Sequence, residues 1–267
     1  TVPYQSFKHA VDVLQFVFLT LRSSDKLRSV LTRLDLFALL VSCLCHDLAH
    51  EGTNNSFQVN AQTPLALLFN GVSIMVSYHC ARTIAILSNP QTDILTGLAK
   101  DDRSYFWSFT IGAILATDMA NHFSIVGNFE QLTKAKTPID NPERRKLLGR
   151  ILLKCGDISN VCRPFELARE WANILLNEFY RQADLERSRG LPVSPLMDRQ
   201  HVILAQMQLG FINSIALPMF DSICLFAPDL KVVLLDVLKA NCAQWTNILS
   251  QSPGGAKVEP KITAQHK

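Results

Sequence analysis

Apolar residues recur at three- and four-residue spacing through most of the chain, and that spacing predicts helices rather than strands. Leu147, Leu148, Ile151, Leu152 and Cys155 fall on one stripe of a helix opened by Asn141-Pro142, an N-cap residue followed by a first-turn proline. Thr63-Pro64, Arg163-Pro164 and Ser194-Pro195 punctuate the chain in the same way, each before an apolar-periodic stretch. Asn70-Gly71 resembles a hairpin turn, but no alternating run flanks it. The pattern predicts an all-α chain with helices near 7–22, 26–30, 35–48, 55–60, 64–69, 74–88, 102–121, 123–135, 142–155, 164–187, 198–225 and 228–250.

Connections are short, and the longest irregular pieces, 134–141 and 188–194, are too brief for an interdomain linker. One compact domain over residues 1–250 is expected, followed by a mobile tail at 251–267 where the periodicity is lost. Composition agrees. Of 267 residues 48% are apolar, enough for a packed core, and the 11 glycines fall short of the turns a β-sandwich or barrel needs.

The balance of 26 basic and 23 acidic residues carries no polyelectrolyte signal, so nucleic acid is not an expected partner. Seven cysteines in apolar surroundings, Cys43 and Cys45 among them, have no C-x-x-C spacing and read as reduced packing residues. The longest nearly uninterrupted apolar run, 36–45, is too short to span a bilayer, so this domain is not expected to insert into a membrane.

Candidate chemistry begins at His46-Asp47-Leu48-Ala49-His50, which ends a strongly apolar helix. Such a dipeptide alone is a common helix cap. Two imidazoles and a carboxylate at the end of a buried helix nonetheless need a partner, and a divalent cation is the usual one. His9, on the first amphipathic helix, and Asp157, where another apolar helix ends, complete a set of two His and two Asp. That set suits zinc or another transition metal and leaves positions for water. Farther on, Gln208 precedes Phe211 by one helical turn, an arrangement that can hydrogen-bond a purine edge while covering its face, although taken alone the pair reads more simply as Phe211 in the core and Gln208 on the surface.

These segments, in this order, resemble the catalytic domain of class I cyclic-nucleotide phosphodiesterases. The matched pieces are Tyr4 with His9-Ala10, CHDLAHEGTNNSFQVN from Cys45, LATDM from Leu115, CGDISN from Cys155, FYRQADLE from Phe179, SPLMDR from Ser194 and QLGFI from Gln208. The resemblance implies an all-α, HD-type domain that hydrolyses 3′,5′-cyclic nucleotides, cGMP, cAMP or both, to nucleoside 5′-monophosphates. It implies two divalent cations, zinc and magnesium or manganese. His9, His46, Asp47 and Asp157 would hold the tighter one, Asp47 would bridge to the other, and His50, Thr117 and Asp118 would stand outside them. Gln208 would bond the purine between Phe211 and Leu175, with Tyr4, Met119, Ile158, Asn160 and Phe179 lining the pocket.

The chain departs from the family pattern around this centre. Gln5 stands where the general-acid histidine belongs, Val76 where the carboxylate that orients it belongs, Ala49 where Asp is usual and Glu51 where Pro is usual. Glutamine has no titratable proton, and loss of a positioned acid lowers rates by about 10²- to 10⁴-fold. Gln5 thus fills the general-acid position without an acid, and an enzyme of reduced turnover would use water or His50 in its place. The alternative is a regulatory module that binds cyclic nucleotide with little or no hydrolysis. The chain opens inside the family's first motif, so a regulatory region outside it is expected. A cytoplasmic setting is the expectation, even for a membrane-attached parent, and a homodimer is one option.

Overall fold

The computed structural model describes residues 2–251, so Thr1 and all of the expected tail beyond Gln251 lie outside the described residues. Among them are thirteen α-helices and no strand. The helices are α1 (Phe7–Ser23), α2 (Asp25–Val30), α3 (Arg33–Cys45), α4 (Asn55–Asn60), α5 (Pro64–Leu68), α6 (Ile74–Leu87), α7 (Lys100–Leu115), α8 (His122–Lys134), α9 (Pro142–Asp157), α10 (Phe165–Ser188), α11 (Leu204–Phe211), α12 (Leu217–Phe226) and α13 (Val237–Gln251).

Local chemistry sets many of the starts. Asn141 accepts the Arg144 N–H ahead of Pro142, Thr63 accepts the Ala66 N–H ahead of Pro64, and Asn54 accepts the Phe57 N–H. Thr32 and Asp35 cap α3 reciprocally. The core lies where α1, α3, α7 and α9 pack on one another, with Leu39, Phe106, Phe109, Leu148, Ile151 and Leu152 fully buried.

Two glycines on α9 bring its neighbours close. A Cβ on Gly149 would stand 2.2 Å from the Phe109 ring, and one on Gly156 would stand 2.8 Å from a Val17 methyl and 3.0 Å from a Val13 methyl. The second contact matters for the site, because α1 carries His9 and α9 ends on Asp157.

The helical pattern holds, and four expected ranges change. The helix expected at 35–48 ends at Cys45: the Leu48 N–H bonds the Cys45 carbonyl and the His50 N–H the Asp47 carbonyl in tight three-residue turns, and Ala49 then takes φ 60° in the left-handed region, which no α-helix admits. The helix expected at 102–121 breaks after Leu115, and the next helical piece leaves at 90°. The Thr117 hydroxyl donates to the Ile114 carbonyl and Asp118 accepts the Ala120 N–H, which fixes that corner.

The helix expected at 198–225 begins only at Leu204. Asp198 instead accepts from the Gln200 N–H and meets the His201 ring, holding 198–201 as a turn. Widened π turns occupy Ile212–Ala216 and Val232–Asp236, and the second replaces the front of the helix expected at 228–250. Pro218 accounts for the first, since it has no N–H to give the carbonyl one turn back.

Leu204–Phe226 is also a longer apolar stretch than the one singled out from sequence. By length and composition it could cross a bilayer, but Ile212, Met219, Phe220 and Ile223 on it belong to the core. All seven cysteines are free.

Candidate active site

His9 and His46 are both buried, on α1 and just past the end of α3, and the break after α3 turns Asp47 toward them. One ligand atom from each of His9, His46, Asp47 and Asp157 lies within 4.8 Å of the others. His46 Nε2 is 3.2 Å from Asp47 Oδ2, 3.4 Å from Asp157 Oδ1 and 3.3 Å from His9 Nε2. His9 Nε2 is 3.1 Å from Asp157 Oδ1 and 3.6 Å from Asp47 Oδ2.

The His46 ring is fixed by its other nitrogen. Nδ1–H donates to the Cys43 carbonyl at 2.8 Å, which leaves Nε2 to present its lone pair to the cluster. Asp47 Oδ2 is buried and has no hydrogen-bond partner among the described residues. Imidazole and carboxylate lone pairs thus converge on one point around an unpartnered buried oxygen, a donor set that fits a divalent cation and that could bind one.

The electrostatics follow the same arrangement. Burial alone would raise the Asp47 and Asp157 carboxyls, but the adjacent histidines outweigh it and hold both well below the usual carboxylate range. Burial would lower His46, and the Asp47 and Asp157 carboxylates raise it instead.

His50 has no such pairing, and burial pushes it down to about 4. Its Nδ1 accepts the Gly52 N–H at 2.9 Å, so a neutral His50 carries its proton on Nε2. His79, which the sequence reading passed over, donates Nδ1–H to the Leu48 carbonyl at 2.7 Å, stacks on His50 and sets Nε2 3.7 Å from Asp47 Oδ1. That gap is too long for a direct hydrogen bond. An imidazole in the apolar run of α6 was the available signal.

Above the cluster opens a cavity of about 1070 Å³. Asp47 and Asp157 reach its floor, while His9 and His46 stay beneath, out of its lining. Gln5, His50, Thr117 and Asp118 line it, as do Gln208, Phe211 and Leu175. So do Tyr4, Met119, Ile158, Asn160 and Phe179, so every substrate-contact residue expected from sequence reaches one cavity.

Gln208 is buried rather than on the surface, and no hydrogen bond among the described residues holds its amide. Gln5 Oε1 is buried without a hydrogen-bond partner among the described residues, and Val76 lies in the same wall. Met197 and Met207 also line the cavity and were missed, although Met197 lies in the SPLMDR segment. Trp171 was missed as well. Its ring meets Tyr4 edge-on at 5.6 Å, and Tyr4 in turn covers His9 at 4.7 Å.

Comparison with known proteins bears on this geometry. Residues 4–237 match the family described as 3′5′-cyclic nucleotide phosphodiesterase. The chain is 40% identical over 243 residues to the 3′,5′-cyclic-nucleotide phosphodiesterase regA of Dictyostelium discoideum, covering 91% of this chain and 30% of that protein. It is 37% identical over 236 residues to the high affinity cGMP-specific 3′,5′-cyclic phosphodiesterase 9A of Homo sapiens, covering 88% of this chain and 40% of that one. The solved structure of LmjPDEB1 in complex with IBMX superimposes with a TM-score of 0.89 at 38% identity, over 94% of this chain and 76% of that one. The chain therefore spans well under half the length of these two curated relatives.

Proposed function

The chain belongs to the 3′,5′-cyclic nucleotide phosphodiesterase family, and on that premise we propose that it hydrolyses 3′,5′-cyclic nucleotides to nucleoside 5′-monophosphates. The observation that carries this reading is the four-residue donor cluster at the floor of a cavity whose wall holds Gln208 and Phe211. His9, His46, Asp47 and Asp157 would hold a zinc ion. Asp47, with its second oxygen turned toward His79, would be shared with magnesium or manganese. Bound divalent cations supply activation of water and neutralisation of phosphoryl charge.

The chain's own residues do the rest. Phe211 and Leu175 cover the faces of the base and Gln208 bonds its edge, which orients the cyclic phosphate toward Asp47 and Asp157. Gln5 can donate a hydrogen bond to the departing 3′ oxygen but cannot deliver a proton, so that proton comes from water in the open cavity and turnover is slow. Identity to proteins named as phosphodiesterases favours slow hydrolysis over a module that only binds. We place the domain in the cytoplasm, attached to a regulatory region beyond these residues.

The test is product formation from cAMP and cGMP with Zn and Mg or Mn supplied. Accumulation of 5′-AMP or 5′-GMP that stops on chelation is the expected result; metal-replete protein that binds nucleotide without forming product would overturn the proposal.

A further inference from the structure

The FYRQADLE segment contributes only Phe179 to the cavity wall described so far, yet the helix that carries it shows a second pattern. On α10, Glu178, Gln182 and Glu186 succeed one another at four-residue spacing, each at 5% exposure or less. Three buried polar side chains in one row are costly unless each is paired, and all three are paired to chain outside the helix.

Glu178 Oε2 accepts the N–H of Tyr4 at 2.8 Å and of Gln5 at 3.1 Å. Gln182 Oε1 accepts the Asn54 N–H at 2.8 Å, and its Nε2 donates to Asn54 Oδ1 at 3.0 Å and to Glu186 Oε1 at 2.9 Å. Glu186 Oε2 accepts the Ser194 N–H at 2.9 Å, and its Oε1 accepts the Ser194 hydroxyl at 3.0 Å. The row rises about 12 Å along the helix. Tyr4 and Gln5, Asn54, and Met197 just past Ser194 each line the cavity.

We infer that this row is a positioning ridge: Glu178 sets the wall at Tyr4 and Gln5, Gln182 sets the loop after the donor cluster, and Glu186 sets the wall at Ser194–Met197, so that one rigid helix fixes the width of the nucleotide slot. None of the three touches the reacting atoms. The claim about substrate rests on the hydrolase reading; the claim about the walls does not.

The chemistry of each member gives a distinguishing signature. Both donors on Glu178 meet a single oxygen, which a glutamine carbonyl can reproduce. At Glu186 three N–H and O–H groups converge on two oxygens, so an amide would set its NH₂ against a donor in either orientation.

The test is hydrogen exchange of the metal-loaded chain, read by segment, alongside steady-state kinetics and melting temperature. In Glu178→Ala, exchange should quicken at residues 2–6 and not at 194–203; in Glu186→Ala the reverse should hold, with KM rising roughly tenfold and kcat within about threefold of the parent. Glu178→Gln should restore the parent pattern and Glu186→Gln should not. Exchange that rises over the whole chain in step with a lowered melting temperature, or a Glu178→Gln that behaves as Glu178→Ala, would overturn the ridge. Segment-specific exchange in a chain that turns over no cyclic nucleotide would uphold the ridge and overturn the hydrolase reading instead.

Discussion

His46 Nε2 and Asp157 Oδ1 stand 3.4 Å apart although 111 residues separate them in the chain, and with the His46 ring hydrogen held by the Cys43 carbonyl both atoms turn lone pairs toward the same space. Packing creates that meeting. α1 packs on both residues' helices, which also touch each other, and α9 presses against α1 through Gly156. The donor set is therefore a property of the core, and it responds to changes that touch no donor.

Gly156→Ala tests that link. The new methyl group would need room that Val13 and Val17 occupy, so α1 and α9 must separate. We expect a loss of about 1–3 kcal/mol in unfolding free energy, the usual range for overpacking. Zinc affinity, measured by competition with a chelating dye, should fall as well. Unchanged stability and affinity would show that the contact is soft.

Gln5→His combined with Val76→Glu should restore a proton donor and the group that orients it. Both positions line the cavity and Gln5 Oε1 has no internal partner to give up. kcat should rise on the order of 10²- to 10⁴-fold, the range a positioned acid supplies. A pair of equally fast enzymes would show that water already serves.

Much of this was legible in the chain itself. The stripe at Leu147–Cys155 and the caps at Asn141 and Thr63 gave helices within two residues of those observed, because caps act locally. Breaks set by tertiary context were not legible: Ala49 takes φ 60° just past the donor dipeptide although alanine favours helix, and nothing in the run FWSFTIGAIL announces the corner after Leu115. The donor residues could be named, since imidazole and carboxylate in apolar helices demand a partner. Glu178, Gln182 and Glu186 escaped because charged and amide residues at helical spacing look like a solvated face until the segments they hold are seen.

Gln208→Leu should weaken binding of both nucleotides by about 10- to 100-fold, since the purine edge would face a side chain with no donor or acceptor. The parent should accept cAMP and cGMP with KM values within about tenfold of each other, because no hydrogen bond among the described residues fixes which end of the Gln208 amide is presented. Isothermal titration with each nucleotide checks the first claim and initial rates check the second. A preference above a hundredfold would mean that the amide is held by the bound nucleotide's own contacts.

The most direct trial of the whole account is the location of the metal. Crystals grown with zinc, with anomalous scattering recorded across the zinc edge, should show a peak about 2.0–2.2 Å from Nε2 of His9 and of His46 and from a carboxylate oxygen of Asp47 and of Asp157, and the peak should vanish in Asp157→Ala. Zinc bound elsewhere, or a peak that survives loss of Asp157, would contradict the claim that these four side chains grip one ion beneath the nucleotide slot.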